Sequence, residues 1–415
     1  MTNSMAPTII FFVISLVCNS TMGYNILLAT MGGTKSHTVP FVALGSSLKA
    51  RGHNVTLLSA FPGPAANSGL REFVPPIFEA YVGNYTSEWD LVGARFRDEM
   101  PISPWDAMRY AWEACEALLR DEISVSWLRR PEGNSQTRWD VAVVDGAFPE
   151  CLLGVLHGED VPIIMLNTVA LYSGSISRQG NPSPWSVTPY FGKSLTQDMN
   201  FFQRVLNVAC LVTLRIMHWI MVSGYLQPVL RKYLGNQLPD VRDLTTEIPL
   251  TLQNSHYSVA ESVPYLANVV NVACLHCKPA TKLSPDLESF LQREKLGYVL
   301  VMDLARISIG SFRDGILKVA AVHNNSYRIA AKKRSSLLRE LPINPRKLAT
   351  WWVEHVAKYK GAEHLKSSTR YMNAIHYYSI DVAIFYAIAL LLSVYGLKKL
   401  CWRTISKQIV RKKID

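Results

Sequence analysis

The sequence predicts an α/β fold built on a doubly wound parallel sheet, and three observations carry that expectation. Tyr24–Thr30 is an apolar, strand-like run, Thr38–Ala50 has a helical pattern, and Asn54–Ser59 returns to strand, which together make a β-α-β opening. Trp139–Val144 then reads as a buried strand that delivers Asp145-Gly146 at its carboxyl end, followed by a helix from Glu150 to His157 and a strand from Ile163 to Asn167. Strand alternating with helix is the pattern of a parallel sheet covered on both faces. Pro104–Arg120 supplies a further helix, and Leu250–Asn254 and Val269–Val272 read as closing strands. Gly32-Gly33 after the first strand lacks both G-x-G-x-x-G and G-x-x-x-x-G-K spacing, so it reads as a tight turn and not a phosphate loop.

The 415 residues, 49% of them apolar, suffice for two medium domains and an anchor. The net charge of +11 is concentrated: more than half of the excess lies beyond Leu397, on Lys398, Lys399, Arg403, Lys407, Arg411, Lys412 and Lys413. The rest is spread over a body without a basic stripe or nucleic-acid motif, so nucleic acid is not an expected partner.

Two segments carry membrane signals. Ile9–Val17 followed by small and polar residues through Gly23 fits a cleaved secretory signal at 1–23. Val382–Leu397 is uncharged, entered from Tyr377, Tyr378 and Asp381 and left through Lys398 and Lys399, and fits a short transmembrane helix. The basic tail, 398–415, stays cytosolic, which places the body in the lumen as a single-pass type I protein. Asn54, Asn84 and Asn324 then stand in glycosylation triplets on the luminal side. Lys412 and Lys413, four and three residues from the terminus by position, match a dilysine signal for retrieval to the endoplasmic reticulum membrane. Val205–Leu226 imitates a second span, but Asn207, Arg215 and His218 inside it favour a helix lying against the core or the membrane surface.

Five cysteines fall in the body, Cys115, Cys151, Cys210, Cys274 and Cys277. Cys274 and Cys277 form a lone C-x-x-C without a second pair at zinc spacing, so buried thiols or one luminal disulfide are expected, and no metal.

The candidate chemistry is a pair. His37 follows the first strand and Asp145 ends a later one, and a doubly wound sheet brings both to one crevice. An imidazole can take a proton from a hydroxyl while a carboxylate on its other nitrogen fixes the tautomer. A surface histidine and a helix-capping aspartate are the alternative that spacing leaves open.

Several blocks of residues are recognisable. Ser36-His37, Leu48-Lys49-Ala50-Arg51-Gly52-His53, Trp139–Cys151, Leu252–His256 and Val269–Val272 resemble the amino-terminal half of the UDP-glucuronosyltransferase family, its insect members especially. The family's glycine pair is here Ala273-Cys274. Trp351-Trp352-Val353-Glu354-His355-Val356, Lys360-Gly361-Ala362, His364-Leu365 and Tyr377–Val382 follow the family's juxtamembrane pattern.

The resemblance implies a GT-B glycosyltransferase. Its Rossmann-like amino-terminal domain would hold a small lipophilic acceptor, here at 24–277, and a second domain would hold the UDP-sugar co-substrate. The implied reaction inverts the anomeric carbon without metal or other cofactor, with His37 as base and Asp145 as its partner.

The family's donor signature, phenylalanine-x-threonine-histidine-glycine with a downstream glutamate and an aspartate-glutamine pair, is not in this sequence. Near Val301–Leu304 the chain passes from the start of the second domain to its end, so 278–381 reads as a truncated remnant plus a juxtamembrane helix. Two functions stay open. One is a transferase whose donor site is remade or supplied by a partner. The other is an inactive form that binds acceptors or pairs with full-length relatives as a homo- or hetero-oligomer.

Overall fold

The computed structural model describes residues 23–289 and 326–411, less 64–65, 67, 88, 98, 100–101, 131–137, 169–173, 191–192, 194, 257, 259–262, 278–281, 283 and 287. The expected signal segment before residue 23, the join at Val301–Leu304, Asn324, Lys412 and Lys413 lie outside the described residues.

The chain opens with β1 (Asn25–Ala29), α1 (Lys35–Ala50), β2 (Asn54–Leu58) and β3 (Arg71–Phe73). Four helices follow: α2 (Pro76–Ser87), α3 (Leu91–Phe96), α4 (Pro104–Leu119) and α5 (Glu122–Arg129). After β4 (Val141–Asp145), α6 (Glu150–Leu156), β5 (Ile163–Asn167) and α7 (Gly174–Arg178) comes the long α8 (Phe201–Ile220). A π-helical turn, Met221–Leu226, joins α8 to α9 (Gln227–Leu234). The remainder is α10 (Val241–Leu244), β6 (Leu250–Gln253), β7 (Val269–Asn271), α11 (Ser326–Arg339), α12 (Pro345–Lys358), α13 (Ala374–Tyr377) and α14 (Ile380–Arg411).

All seven strands join one sheet in the order β3-β2-β1-β4-β5-β6-β7, and every pair is parallel. The order reverses between β1 and β4, where Ile26 is paired with Val55 on one side and Val141 on the other. Outside the carboxyl ends of those two strands a doubly wound sheet leaves its crevice.

Side-chain alternation divides the core. Leu27, Ala29, Ala142 and Val144 face α4, α6 and the π turn, while Ile26, Leu28, Val141 and Val143 face the other way. On that second side Phe41, Leu44 and Leu48 of α1 meet Ala349, Val353 and Val356 of α12, all fully buried. The juxtamembrane helix is thus part of the core of the first sheet. Glu354 fixes its docking, accepting from His53 Nε2 at 2.8 Å and from Arg51 at the end of α1.

The expected elements are present within a few residues. The cysteine reading changes, since two disulfides form, Cys115–Cys151 and Cys274–Cys277, with Cys210 free. The first joins α4 to α6 across 36 residues, a link the chain order conceals because the two helices meet only after β4 is placed. Cys274 has φ +67, in the left-handed region that favours glycine.

At the carboxyl end Val382–Leu397 lies within an exposed helical segment, Ile380–Leu400, whose 21 residues also take in Asp381, Lys398 and Lys399 and of which an 18-residue window has mean hydropathy 2.1. At 1.5 Å per residue its length is about 31 Å, enough for the hydrocarbon core of an ordinary bilayer, about 30 Å. The helix is long and apolar enough to cross a membrane.

Removing Cys115 and Cys151 together by alanine substitution is expected to lower stability by about 2–4 kcal/mol, measured by denaturant unfolding. Ending the chain before Pro345 is expected to abolish the cooperative thermal transition, because α1 and β4 lose their cover; ending it before Ile380 is expected to preserve that transition. Circular dichroism melts separate the two cases.

Candidate active site

The loop after β1 carries Thr30, Met31 and the Gly32-Gly33 turn into α1, whose first turn holds His37. A Cβ on Gly32 would overlap the imidazole, so the turn needs a residue without a side chain to let His37 fold back over the strand ends. Asp145 is the last residue of β4 and is buried. The two come together: His37 Nδ1 lies 2.8 Å from Asp145 Oδ2.

The carboxylate is held from several sides. Thr30 Oγ1 donates to Oδ2 at 3.0 Å, the Ala147 N–H donates to Oδ1 at 3.1 Å, and Thr168 Oγ1 donates to Oδ1 at 3.4 Å. Thr168 Oγ1 also stands 2.9 Å from His37 Nδ1. Its own backbone carbonyl accepts from Asn254 Nδ2 at 2.8 Å, and Asn167 Nδ2 reaches Gln253 Oε1 at 2.6 Å. The carboxyl ends of β4, β5 and β6 therefore form a buried polar ledge beneath the histidine.

Sequence reasoning found the two principals and missed Thr30 and Thr168. Each lies one residue past a strand, Thr30 after β1 and Thr168 after β5. A hydroxyl immediately beyond a buried strand in this fold was the available signal.

Burial of His37 disfavours its charged form, but the Asp145 hydrogen bond and charge outweigh it and hold the imidazole above its ordinary value. With Nδ1 engaged, Nε2 has no hydrogen-bond partner among the described residues. The arrangement fixes one tautomer and leaves one nitrogen to take a proton from a hydroxyl.

Beside the Gly32-Gly33 turn stands an aromatic wall. A Cβ at Gly33 would lie 3.2 Å from the Trp89 ring and 3.5 Å from Tyr110. Tyr85 packs against both rings, Tyr81 against Tyr85, and Phe148 against Tyr110. The phenol tips are tied away: Tyr81 to Glu113, Tyr85 to the Asp106 carbonyl and Tyr110 to the Met31 carbonyl. Burial pushes Tyr81 and Tyr110 up, and Tyr85 up to about 12, so all three hydroxyls stay protonated. Their rings remain as apolar surface.

Among the described residues no group of three or more histidine, cysteine or acidic side chains could hold a metal. Of the glycosylation candidates, Asn54 is exposed at the start of β2, its Nδ2 donating to Asn25 Oδ1 at 3.0 Å, and Asn84 is exposed in the last turn of α2.

The sequence profile described as "UDP-glucoronosyl and UDP-glucosyl transferase" matches residues 25–311 and 316–414. UDP-glycosyltransferase UGT4 of Dactylopius coccus is 22% identical over 490 aligned positions, covering 91% of this chain and 94% of the relative. UDP-glucuronosyltransferase 2C1 of Oryctolagus cuniculus is 20% identical, covering 88% and 95%. Among solved structures, Arabidopsis thaliana UGT89C1 complexed with UDP-L-rhamnose is 14% identical with a TM-score of 0.34, covering 66% of this chain and 55% of that one. With the profile matched from the first strand to the tail, the chain belongs to the UDP-glucuronosyl and UDP-glucosyl transferase family.

Proposed function

We propose that this chain prepares the hydroxyl of a small lipophilic acceptor for inverting transfer of a sugar from a UDP-sugar, with His37 as the base and Asp145 as its partner. The observation that carries this reading is the 2.8 Å contact between His37 Nδ1 and Asp145 Oδ2 at the switch point of the sheet. His37 Nε2 takes the acceptor proton, the acceptor oxygen bonds to the anomeric carbon, and the bond from that carbon to the UDP oxygen breaks. Asp145 stabilises the imidazolium that forms, while Thr30 and Thr168 keep the carboxylate in place. The aromatic wall of Tyr81, Tyr85, Trp89, Tyr110 and Phe148 suits an apolar acceptor.

The donor side is where the chain departs from its relatives. An alignment of 490 positions exceeds the whole 415-residue chain, so it must pass over a gap here. The donor signature is absent from the sequence, and the described residues contain a single sheet. An independent Rossmann-like domain needs about 100–150 residues, but only 108 lie between Asn271 and Ile380, and among them Pro345–Lys358 is already taken up as the helix that covers the first sheet. We therefore read this chain as an acceptor-binding half that does not transfer sugar alone and draws on a full-length relative for its donor site. The apolar Ile380–Leu400 helix anchors it with the body in the lumen, and Lys412 and Lys413 return it to the endoplasmic reticulum.

Calorimetry on the full chain is expected to show no micromolar affinity for UDP; such binding would overturn the missing-donor reading and leave the dyad standing. A chimera that restores the donor half of a relative is expected to transfer sugar, and His37→Ala to reduce its kcat at least about a hundredfold. An active His37→Ala chimera would remove the base assignment.

The raised His37 pKa gives a signed pH dependence. A base must be neutral, so transfer by the chimera is expected to rise with pH through the raised value. Stability runs oppositely: the pair's contribution is complete below about 6.5, the ordinary histidine value, and is lost as pH rises through the folded value. Asp145→Asn is expected to lower the His37 midpoint in an NMR titration; an unchanged midpoint would mean that the carboxylate does not set it.

A further inference from the structure

Helix α8 has two apolar sides. A surface helix normally turns one apolar stripe to the core and its polar residues to solvent; here Leu211, Leu214 and Met217 face the core, and a second apolar stripe faces out. Phe201, Phe202, Val205, Leu206, Ile216, Trp219 and Ile220 are exposed, Phe202 at 79% and Trp219 at 54%. At 3.6 residues per turn they fall on one side of the helix. Asn207, Arg215 and His218 point inward. Asn207 is fully buried; its Nδ2 donates to the carbonyls of Trp185 and Thr188 at 2.8 and 2.9 Å, and its Oδ1 accepts from the Tyr190 N–H at 2.6 Å. His218 Nε2 meets the buried Glu150 at 3.1 Å. Arg215 lies over the Trp185 ring and donates to Ser177 at 3.3 Å.

These inward contacts also exclude a spanning helix, which would strip Asn207, Arg215 and His218 of their partners in hydrocarbon. The helix must lie flat with its apolar face outward.

The occupant of that face follows from position and charge. An 18-residue window within Phe201–Leu234 has mean hydropathy 1.8, and the segment contains no aspartate or glutamate. Arg215 lines a cavity of about 640 Å³ together with Arg370, Tyr371, Tyr377 and Tyr378. Tyr378 stands two residues before Ile380, where the apolar carboxyl-terminal helix begins. The root of that helix is clamped there: Thr369 donates to the Gly180 carbonyl at 2.9 Å, and Lys366 and Tyr371 bind Glu247 at 3.0 Å each. Helix α8 therefore stands at the foot of the anchor, where the bilayer surface is.

We propose that the exposed face of α8 lies in the luminal leaflet of the membrane as a second, non-spanning contact, so that the body is held against the bilayer and not only tethered to it. The proposal rests on Ile380–Leu400 being the anchor and is independent of the catalytic reading.

The full chain, with a protease site inserted at Ser379, is reconstituted in phosphatidylcholine vesicles. Resistance of the uncut chain to carbonate extraction tests the anchor separately. After cleavage in 1 M salt, the body is expected to sediment with the vesicles, and the triple variant Phe202→Ser, Ile216→Ser, Trp219→Ser to be released about tenfold more readily or better. A bimane label on Val205→Cys, in a Cys210→Ser, Cys401→Ser background, is expected to be quenched by spin-labelled lipid. The label decides the matter if the triple variant does not fold. A wild-type body that leaves the vesicles after cleavage, as monomer or as dimer, an unquenched label, or a folded triple variant retained as firmly as wild type would overturn the proposal.

Discussion

Val353 and Val356 of α12 close over Leu44 and Leu48 of α1, and without that contact part of one face of the sheet has no cover. A parallel sheet buries both faces, because its crossover helices must pack on them. Here α1 covers part of one face, and the remaining cover arrives from far downstream. Thr350 of α12, which hydrogen-bonds Ser47 of α1, lies 303 residues after it in the chain. The crevice at the sheet's carboxyl edge is thus only as well formed as the docking of a helix that sits close to the membrane anchor. Glu354, shared between Arg51 and His53, sets the position of that helix.

With both faces closed, the strand ends are aligned and the polar ledge can form. Asp145, Thr168 and Asn254 each sit at or just past the end of a buried strand, where an unpaired polar group would be costly. They satisfy one another and His37, so the side chains that order the imidazole are also those that keep the sheet edge from carrying unpaired groups. The same economy ties the phenols of Tyr85 and Tyr110 to backbone carbonyls and leaves their rings as apolar wall.

The inward polar residues of α8 belong to the same pattern. Asn207 gathers three backbone groups of the 185–190 loop and His218 partners the buried Glu150 at the start of α6. The helix joins the domain through these hydrogen bonds and through Leu211, Leu214 and Met217, and the apolar residues of its other side are left exposed.

The sequence by itself determined the alternation of the main strands and helices, the place of Asp145 at a strand end and of His37 after the first strand, the family, and the absence of the donor signature. These are local or pattern properties: the period of apolar residues, and residue types at fixed offsets. It did not show β3 or the short helices, and His37 falls in the first turn of α1 and not in the loop before it. Tertiary structure decided the rest. Cys115 finds Cys151 only because α4 and α6 pack on one face of the sheet, and Thr30 and Thr168 reach Asp145 only because β1 and β5 flank β4. Residues 345–358, legible as a juxtamembrane helix, turn out to be core because the face they cover is made by strands remote from them in the chain. The side that α8 shows to its own domain was likewise hidden, since periodicity gives the stripe on a helix but not the direction in which it points.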